Sequence, residues 1–295
     1  MKIDTNKLLF NAAGILIGLF AVGYAISDQF TTQKTSACAA RYSVSSLQPI
    51  ANASGDLLTP IELQAMSGAR EYGMLEHAKI IPVKGAPSPA VLEVTVPKGD
   101  GKPERGTAVP RSGIGMQWTP FDAVGAQSTC LSYSIYLPSD FDFGDGGMLP
   151  GLFGGSRFDG FEKGESKPGF AARVTWREKG VGDVSVQIPK LGDRISSIGR
   201  DKFQLARGRW ISIEQELQLN TPKKPDGKLR LWINGELRFE HDKLQWRDEA
   251  STSVEGVVGN VGFGTVERPG QAPRESKILL SPFELRWQQQ VSAKK

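Results

Sequence analysis

Cysteine and histidine are scarce in this 295-residue chain: only Cys38 and Cys130, and only His77 and His241. Two cysteines fix no disulfide framework. They are either one disulfide of an oxidising compartment or two thiols, and spacing does not choose. No His, Asp and Glu cluster has ligand spacing, so neither a metal nor a cofactor is expected. Long Lys/Arg runs are missing as well, and 36 Lys+Arg against 32 Asp+Glu leave a net charge of only +4. No nucleic acid is therefore expected, whereas an acidic polymer recognised locally fits this balance. Alternating strand and helix units are absent, as is any repeat of solenoid or propeller length, which removes the α/β and repeat architectures.

Long apolar runs are missing except at one place. From Leu8 to Ile26 the chain reads LLFNAAGILIGLFAVGYAI, nineteen positions without a charge, enough to cross a hydrocarbon core of about 30 Å as a helix. A cleaved signal peptide is the rival, but the nearby Ala-x-Ala, Ala37-Cys38-Ala39, lies more than ten residues past the run. The segment reads as an uncleaved membrane anchor. Lys2 and Lys7 precede it and Asp28 follows, so residues 1–7 are expected in the cytoplasm and the bulk outside it, periplasmic or extracellular. Residues 27–54, polar and rich in small side chains, read as a tether. Residues 55–89 form an N-terminal segment with one short helix, because Thr59-Pro60-Ile61-Glu62 offers an N-cap, a first-turn proline and a reciprocal Glu before Gly68.

From Ala90 onward the apolar period is two. VLEVTV, LSYSIYL, AARVTWR, DVSVQI, WISIEQELQL, KLRLWIN and ELRFE are short runs separated by Gly, Pro, Asn and Asp, the pattern of an all-β sandwich or jelly roll. Asn234-Gly235 predicts a two-residue hairpin turn. Gly144 to Gly155 holds six glycines, but no helix start and no Lys-Ser/Thr pair follows, so a phosphate loop is excluded.

The stretch FAARVTWREKGVGDVSVQIP, residues 170–189, predicts a hairpin turning around Glu178 to Gly182. Alternation places Arg173, Thr175 and Arg177 on one face with Asp183, Ser185 and Gln187, and Val174, Trp176, Val184 and Val186 on the other. The polar face is either a solvated sheet surface or a cleft floor on which arginine forks a carboxylate or sulfate. Arg230 and Trp232 share a phase two strands later, a cation beside an aromatic plane that suits an acidic sugar. Of the other titratable groups, Tyr133 and Tyr136 read as core aromatics and the two histidines as structural residues.

The blocks VLEVTVPKGDGKP, LSYSIYLPSDFDFGDGGMLPGLFGG, FAARVTWREKGVGDVSVQIP and RGRWISIEQELQLNTPKKPDGKLRLWINGE together resemble the alginate lyases of the fourteenth polysaccharide lyase family, over roughly Ala90 to Trp287. The resemblance implies a jelly roll of two facing antiparallel sheets over residues 90–290, followed by a tail at 291–295, with an acidic polysaccharide across the concave sheet. It implies glycines shaping a strand-to-loop corner at the cleft. The implied reaction is β-elimination: a cation or hydrogen-bond donor neutralises a uronate carboxylate, a base takes the C5 proton, and an acid protonates the leaving oxygen.

The family's GGKLPG has its lysine at Met148 here. Its Ser-x-Arg falls on Ala171 and Arg173, and its Tyr-x-Tyr on Ser185 and Gln187. Most of the catalytic positions are thus substituted, and no catalytic set can be named. The expected ligand-binding residues are Arg173, Arg177, Arg157, Ser185, Gln187, Arg230 and Trp232. The reading that follows is a lyase-like protein that binds an acidic polysaccharide without cleaving it. The alternatives are an active lyase whose acid and base have moved, with Lys163, Lys167, Tyr133 or His241 as candidates, and a structural or assembly subunit of a membrane complex that meets a protein partner.

Overall fold

The structure is a computed structural model that describes residues 36–67, 72–100, 112–123, 125–155, 169–188, 196–265 and 270–288. Residues 8–26, expected to be a membrane anchor, lie outside this set. No helix among the described residues is long and apolar enough to cross a membrane.

The described residues build two antiparallel sheets. The nine-stranded sheet runs Glu236–Leu244, Gly227–Ile233, Trp210–Gln218, Ser128–Tyr136, Ser276–Leu280, Ala90–Val96 and Ala78–Pro82 in spatial order. Glu284–Trp287 also pairs with Ser128–Tyr136, and Val44–Leu47 pairs with Glu284–Trp287. The seven-stranded sheet runs Gln117–Trp118, Val254–Val258, Gly147–Gly154, Phe170–Trp176, Val181–Gln187 and Ser196–Gln204, with Gly262–Phe263 added beside Gly147–Gly154.

The two-residue period decides what lies between the sheets. Leu229, Leu231 and Ile233 of one sheet and Ala172, Val174 and Trp176 of the other are buried in one apolar cluster. Two polar side chains caught there bond across the gap: Gln215 Nε2 donates to the Ala172 carbonyl at 3.1 Å and the Tyr133 hydroxyl to the Pro150 carbonyl at 2.9 Å, while Gln215 Oε1 has no partner among the described residues. An all-β sandwich of jelly-roll type is the fold that alternation predicts.

Local signals hold in detail. Asn234 and Gly235 both take positive φ, 53° and 71°, as a primed two-residue turn requires. The Pro60–Ser67 helix starts on a capping box, with Glu62 Oε2 accepting from the Thr59 backbone N–H at 2.7 Å and Thr59 Oγ1 accepting from the Glu62 N–H at 3.3 Å.

Three expectations need correction. The tether does not extend to Ser54: the Ala37–Arg41 helix lies on the outer face of the nine-stranded sheet, bonded by a Cys38–Cys130 disulfide, and Val44–Leu47 is a strand of that sheet. The sheet begins before Ala90 as well, because Ala78–Pro82 pairs with Ala90–Val96. The glycine-rich stretch turns only at its ends, where Gly144, Gly146 and Gly155 take positive φ. Between them it is a strand, Gly147–Gly154, buried throughout, whose missing side chains admit neighbours: a Cβ on Gly147 would lie 2.1 Å from the Trp176 ring and one on Gly151 1.9 Å from the Ala172 carbonyl oxygen. Between Met148 and Gly151 the register shifts, and the bulge accommodates Pro150, which has no N–H to offer a ladder.

Gly151→Ala is accordingly expected to cost about 1–3 kcal/mol, the usual penalty for forcing volume into a filled interior. Thermal melting checks it, and an unchanged midpoint would contradict the close approach.

Candidate functional site

The outer face of the seven-stranded sheet carries the predicted polar row. Ladder pairing puts Ser197, Ser185, Arg173 and Gly151 side by side across four strands, with Thr175 opposite Asp183 and Ala171 opposite Gln187 in the flanking rows. Met148 pairs with Thr175 on this same face. Gly151 adds no side chain, so nothing on that strand stands between Arg173 and the next one.

Arg173 is the centre. Its Nε donates to Asn260 Oδ1 at 2.8 Å and its Nη1 to Gln187 Oε1 at 2.9 Å. Asn260 Nδ2 in turn lies 3.5 Å from the Tyr72 hydroxyl oxygen. Tyr72 is held in place by a two-way backbone bridge to Gly115, and only glycine fits there, because a Cβ would meet the Tyr72 ring at 2.1 Å. Directly across the ladder from Arg173, Ser185 Oγ is buried without a hydrogen-bond partner among the described residues. The arrangement offers guanidinium and carboxamide groups around one point, a set that recognises a carboxylate by charge-assisted hydrogen bonds.

An exposed polar row was expected, and the structure corrects this. Arg173 is 3% exposed and Ser185 1%, while Gln187 and Tyr72 are half-buried. A guanidinium does not stay buried unpaired, so Asn260 and Gln187 close on Arg173, leaving Gln187 and Tyr72 as the accessible rim.

Arg230 and Trp232 are not in this site. They belong to the nine-stranded sheet and alternate with core-facing Leu229, Leu231 and Ile233, which puts them on the far side of the sandwich from Arg173. There Trp232 is only 9% exposed and Arg230 is claimed by two carboxylates, Glu216 and Glu240. Neither is placed to hold a sugar beside Arg173.

Two of the groups considered as a relocated acid or base are also displaced. Tyr133 points into the core, where burial pushes its phenol well above the ordinary value. His241 is exposed on the strand next to Arg230. Arg157, Lys163 and Lys167 lie outside the described residues.

The sequence profile of the family described as Polysaccharide lyase 14 matches residues 85–282, two-thirds of the chain. This chain belongs to that family. Among solved structures, the PL-14 alginate lyase of Aplysia kurodai is 25% identical, covering 83% of this chain and 99% of its own, with a TM-score of 0.66. The alginate lyase vAL-1 of Chlorella virus is 19% identical, covering 82% and 98%, with a TM-score of 0.62. A double mutant of the alginate lyase Aly36B in complex with an alginate tetrasaccharide is 17% identical, covering 67% and 80%, with a TM-score of 0.51. No curated protein sequence matches the chain.

The face bearing Arg173 includes the strands Phe170–Trp176 and Val181–Gln187, onto which the resemblance maps Ser-x-Arg and Tyr-x-Tyr. Asn260 and Tyr72 carry no such signal. Asn260 sits in an irregular link just before the altered block at Val261, and Tyr72 reaches the site from a segment without strand periodicity.

Proposed function

We propose that this polysaccharide lyase 14 member binds an acidic polysaccharide by its carboxylates at the Arg173 centre and does not cleave it, while residues 8–26 hold the domain at a membrane, outside the cytoplasm. The observation that carries the binding is Ser185. A buried hydroxyl without a partner costs roughly 1–3 kcal/mol, and here it stands beside a guanidinium already furnished with two carboxamides. Such an arrangement gains when an anion supplies the missing acceptor. A uronate polymer is the ligand class supported by the relatives, one of which holds an alginate tetrasaccharide.

The lack of cleavage is supported by side-chain chemistry. Met148 and Gln187 have no proton to move near neutral pH, and Ser185 has no base among its described neighbours. The location is supported by Lys2 and Lys7 before the apolar run and by the disulfide, which persists in oxidising compartments.

Full-length protein screened on acidic oligosaccharides tests the reading. Arg173→Ala is expected to abolish binding, and Gln187→Ala, at the half-buried rim, to weaken it with the fold intact. Ser185→Ala is expected to leave the melting temperature unchanged or raised, because it removes an unpaired hydroxyl, while lowering affinity. Failure of the wild-type chain to bind any of them would sink the proposal and turn attention to a protein partner.

One observation favours a second reading, an active lyase with displaced proton transfer: Tyr72 places a phenol at Asn260. Release of unsaturated uronide that disappears in Tyr72→Phe would establish it. The binding reading expects no such absorbance from either form.

A further inference from the structure

A second basic cluster lies on the same sheet face. Asp183 stands two residues along its strand from Ser185, roughly 6–7 Å away, and is fully buried. Thr175 Oγ1 and Ser197 Oγ donate to it, Arg177 Nε donates at 3.1 Å, and Arg200 Nε lies 3.6 Å from the same oxygen as Arg177. Two guanidiniums thus share one carboxylate oxygen.

The backbone goes out of its way to supply that second arginine. Register on the Ser196–Gln204 strand jumps from Val184↔Ile198 to Gly182↔Phe203, so residues 199–202 bulge opposite Asp183 alone. The bulge needs left-handed conformations at Gly199 (φ 72°) and at Asp201 (φ 62°), and a Cβ on Gly199 would lie 2.2 Å from the Phe239 ring. Bulges beside sites re-aim side chains, and a non-glycine residue in this region marks a conformation the surroundings enforce. Here the re-aimed side chain is Arg200, which remains 54% exposed, against 16% for Arg177.

We propose that Arg200, seated with Arg177 over Asp183, is a second anion subsite that takes another carboxylate of the same acidic polysaccharide. Asp183 orients the guanidiniums through Nε, which leaves the terminal nitrogens of Arg200 to fork a carboxylate. Arg173 and Arg200 then read two charges of one polymer, so the face selects a chain that is anionic at more than one residue over a singly charged sugar. This inference rests on the reading of the Arg173 centre given above.

Titration calorimetry of the full-length chain with an alginate tetrasaccharide and with a single uronic acid, each at low and moderate salt, tests it. Arg200→Ala is expected to weaken the tetrasaccharide about tenfold, the scale of one charged contact, and to make its binding less salt-dependent, with the monosaccharide unaffected. Arg200→Lys should recover part of the loss. Because the side chain is half-exposed, the variant should melt with wild type. Tetrasaccharide affinity and salt dependence unchanged in Arg200→Ala, with binding still lost in Arg173→Ala, would overturn the second subsite and leave the first standing. Binding of neither sugar by the wild-type chain would overturn both.

Discussion

Replacing Cys38 and Cys130 together with alanine should lower the unfolding free energy by about 4 kcal/mol, the largest effect expected of any change away from the Arg173 face. The bridge closes a loop with a sequence separation of 92, and constraining a loop of that length in the unfolded chain contributes roughly 4–5 kcal/mol in the chain-entropy account. For a domain of this size the loss corresponds to a drop in melting temperature of about 8–15 °C. Both sulfurs are shut off from solvent, so brief treatment with reductant should leave the native protein unaltered while reductant added to the unfolded protein should prevent full recovery of stability. Coincident melting curves for the double variant and wild type would refute this account.

The bridge has such weight because the segment it fastens has little apolar surface of its own. Residues Ser36 to Tyr42 are held mainly by polar contacts to the Trp210–Gln218 strand: the Ala37 and Cys38 backbone N–H groups donate to Glu214 at 3.2 and 3.0 Å, the Ser36 hydroxyl donates to the same carboxylate, and Arg41 and Tyr42 bond Glu216. Ser128 and Arg286 of the neighbouring strands also bond Tyr42. Read as sequence, this stretch has no period and resembles a linker. Its order comes from partners far along the chain, beyond the reach of any local pattern.

Elsewhere, legibility follows the same division. Positions whose neighbours are fixed by strand alternation could be read: the Phe170–Trp176 and Val181–Gln187 hairpin, the inward set of Val174, Trp176, Val184 and Val186, and the outward set with Arg173 and Ser185. Alternation also paired Arg230 with Trp232 in phase, correctly, but phase does not say which of two sheets a strand joins. Composition misled at Gly147 and Gly151, where glycine marks room for a neighbour's ring or carbonyl rather than a turn. Asn260 and Tyr72 were illegible because each enters the site through an isolated bridge or link, and a single side chain without periodicity leaves no trace until the fold brings it to Arg173.

Glu216 supplies the second large prediction, one that separates a structural ion cluster from a binding one. Its carboxylate is 1% exposed and accepts from Arg41 Nε at 2.7 Å, from the Tyr42 hydroxyl at 2.6 Å and from Arg230. Glu216→Ala should cost about 3 kcal/mol, the lower end of the range for breaking a buried pair, because Arg230 keeps Glu240 and Arg41 can turn to water. Burial works to raise the Glu216 carboxyl, but the bonds from Tyr42, Arg230 and Arg41 outweigh it and hold the group below its ordinary value. A depressed carboxyl binds its proton less readily in the folded state, so its contribution is present above the unfolded pKa near 4.5 and is lost as pH falls through the folded value. Tyr42 behaves in the opposite sense. Burial, and then its bond to Glu216, push its phenol up to about 12, so its contribution is complete below pH 10.0 and is lost as pH rises from there to about 12. Denaturant midpoints measured across pH should therefore show an acid limb that flattens in Glu216→Gln and an alkaline limb that flattens in Tyr42→Phe. Neither substitution should alter affinity for an acidic oligosaccharide at neutral pH, since this cluster and Arg173 occupy opposite faces of the sandwich. Loss of binding in Glu216→Gln with a native melting temperature would move the sugar to the nine-stranded sheet and return Arg230 and Trp232 to the ligand site.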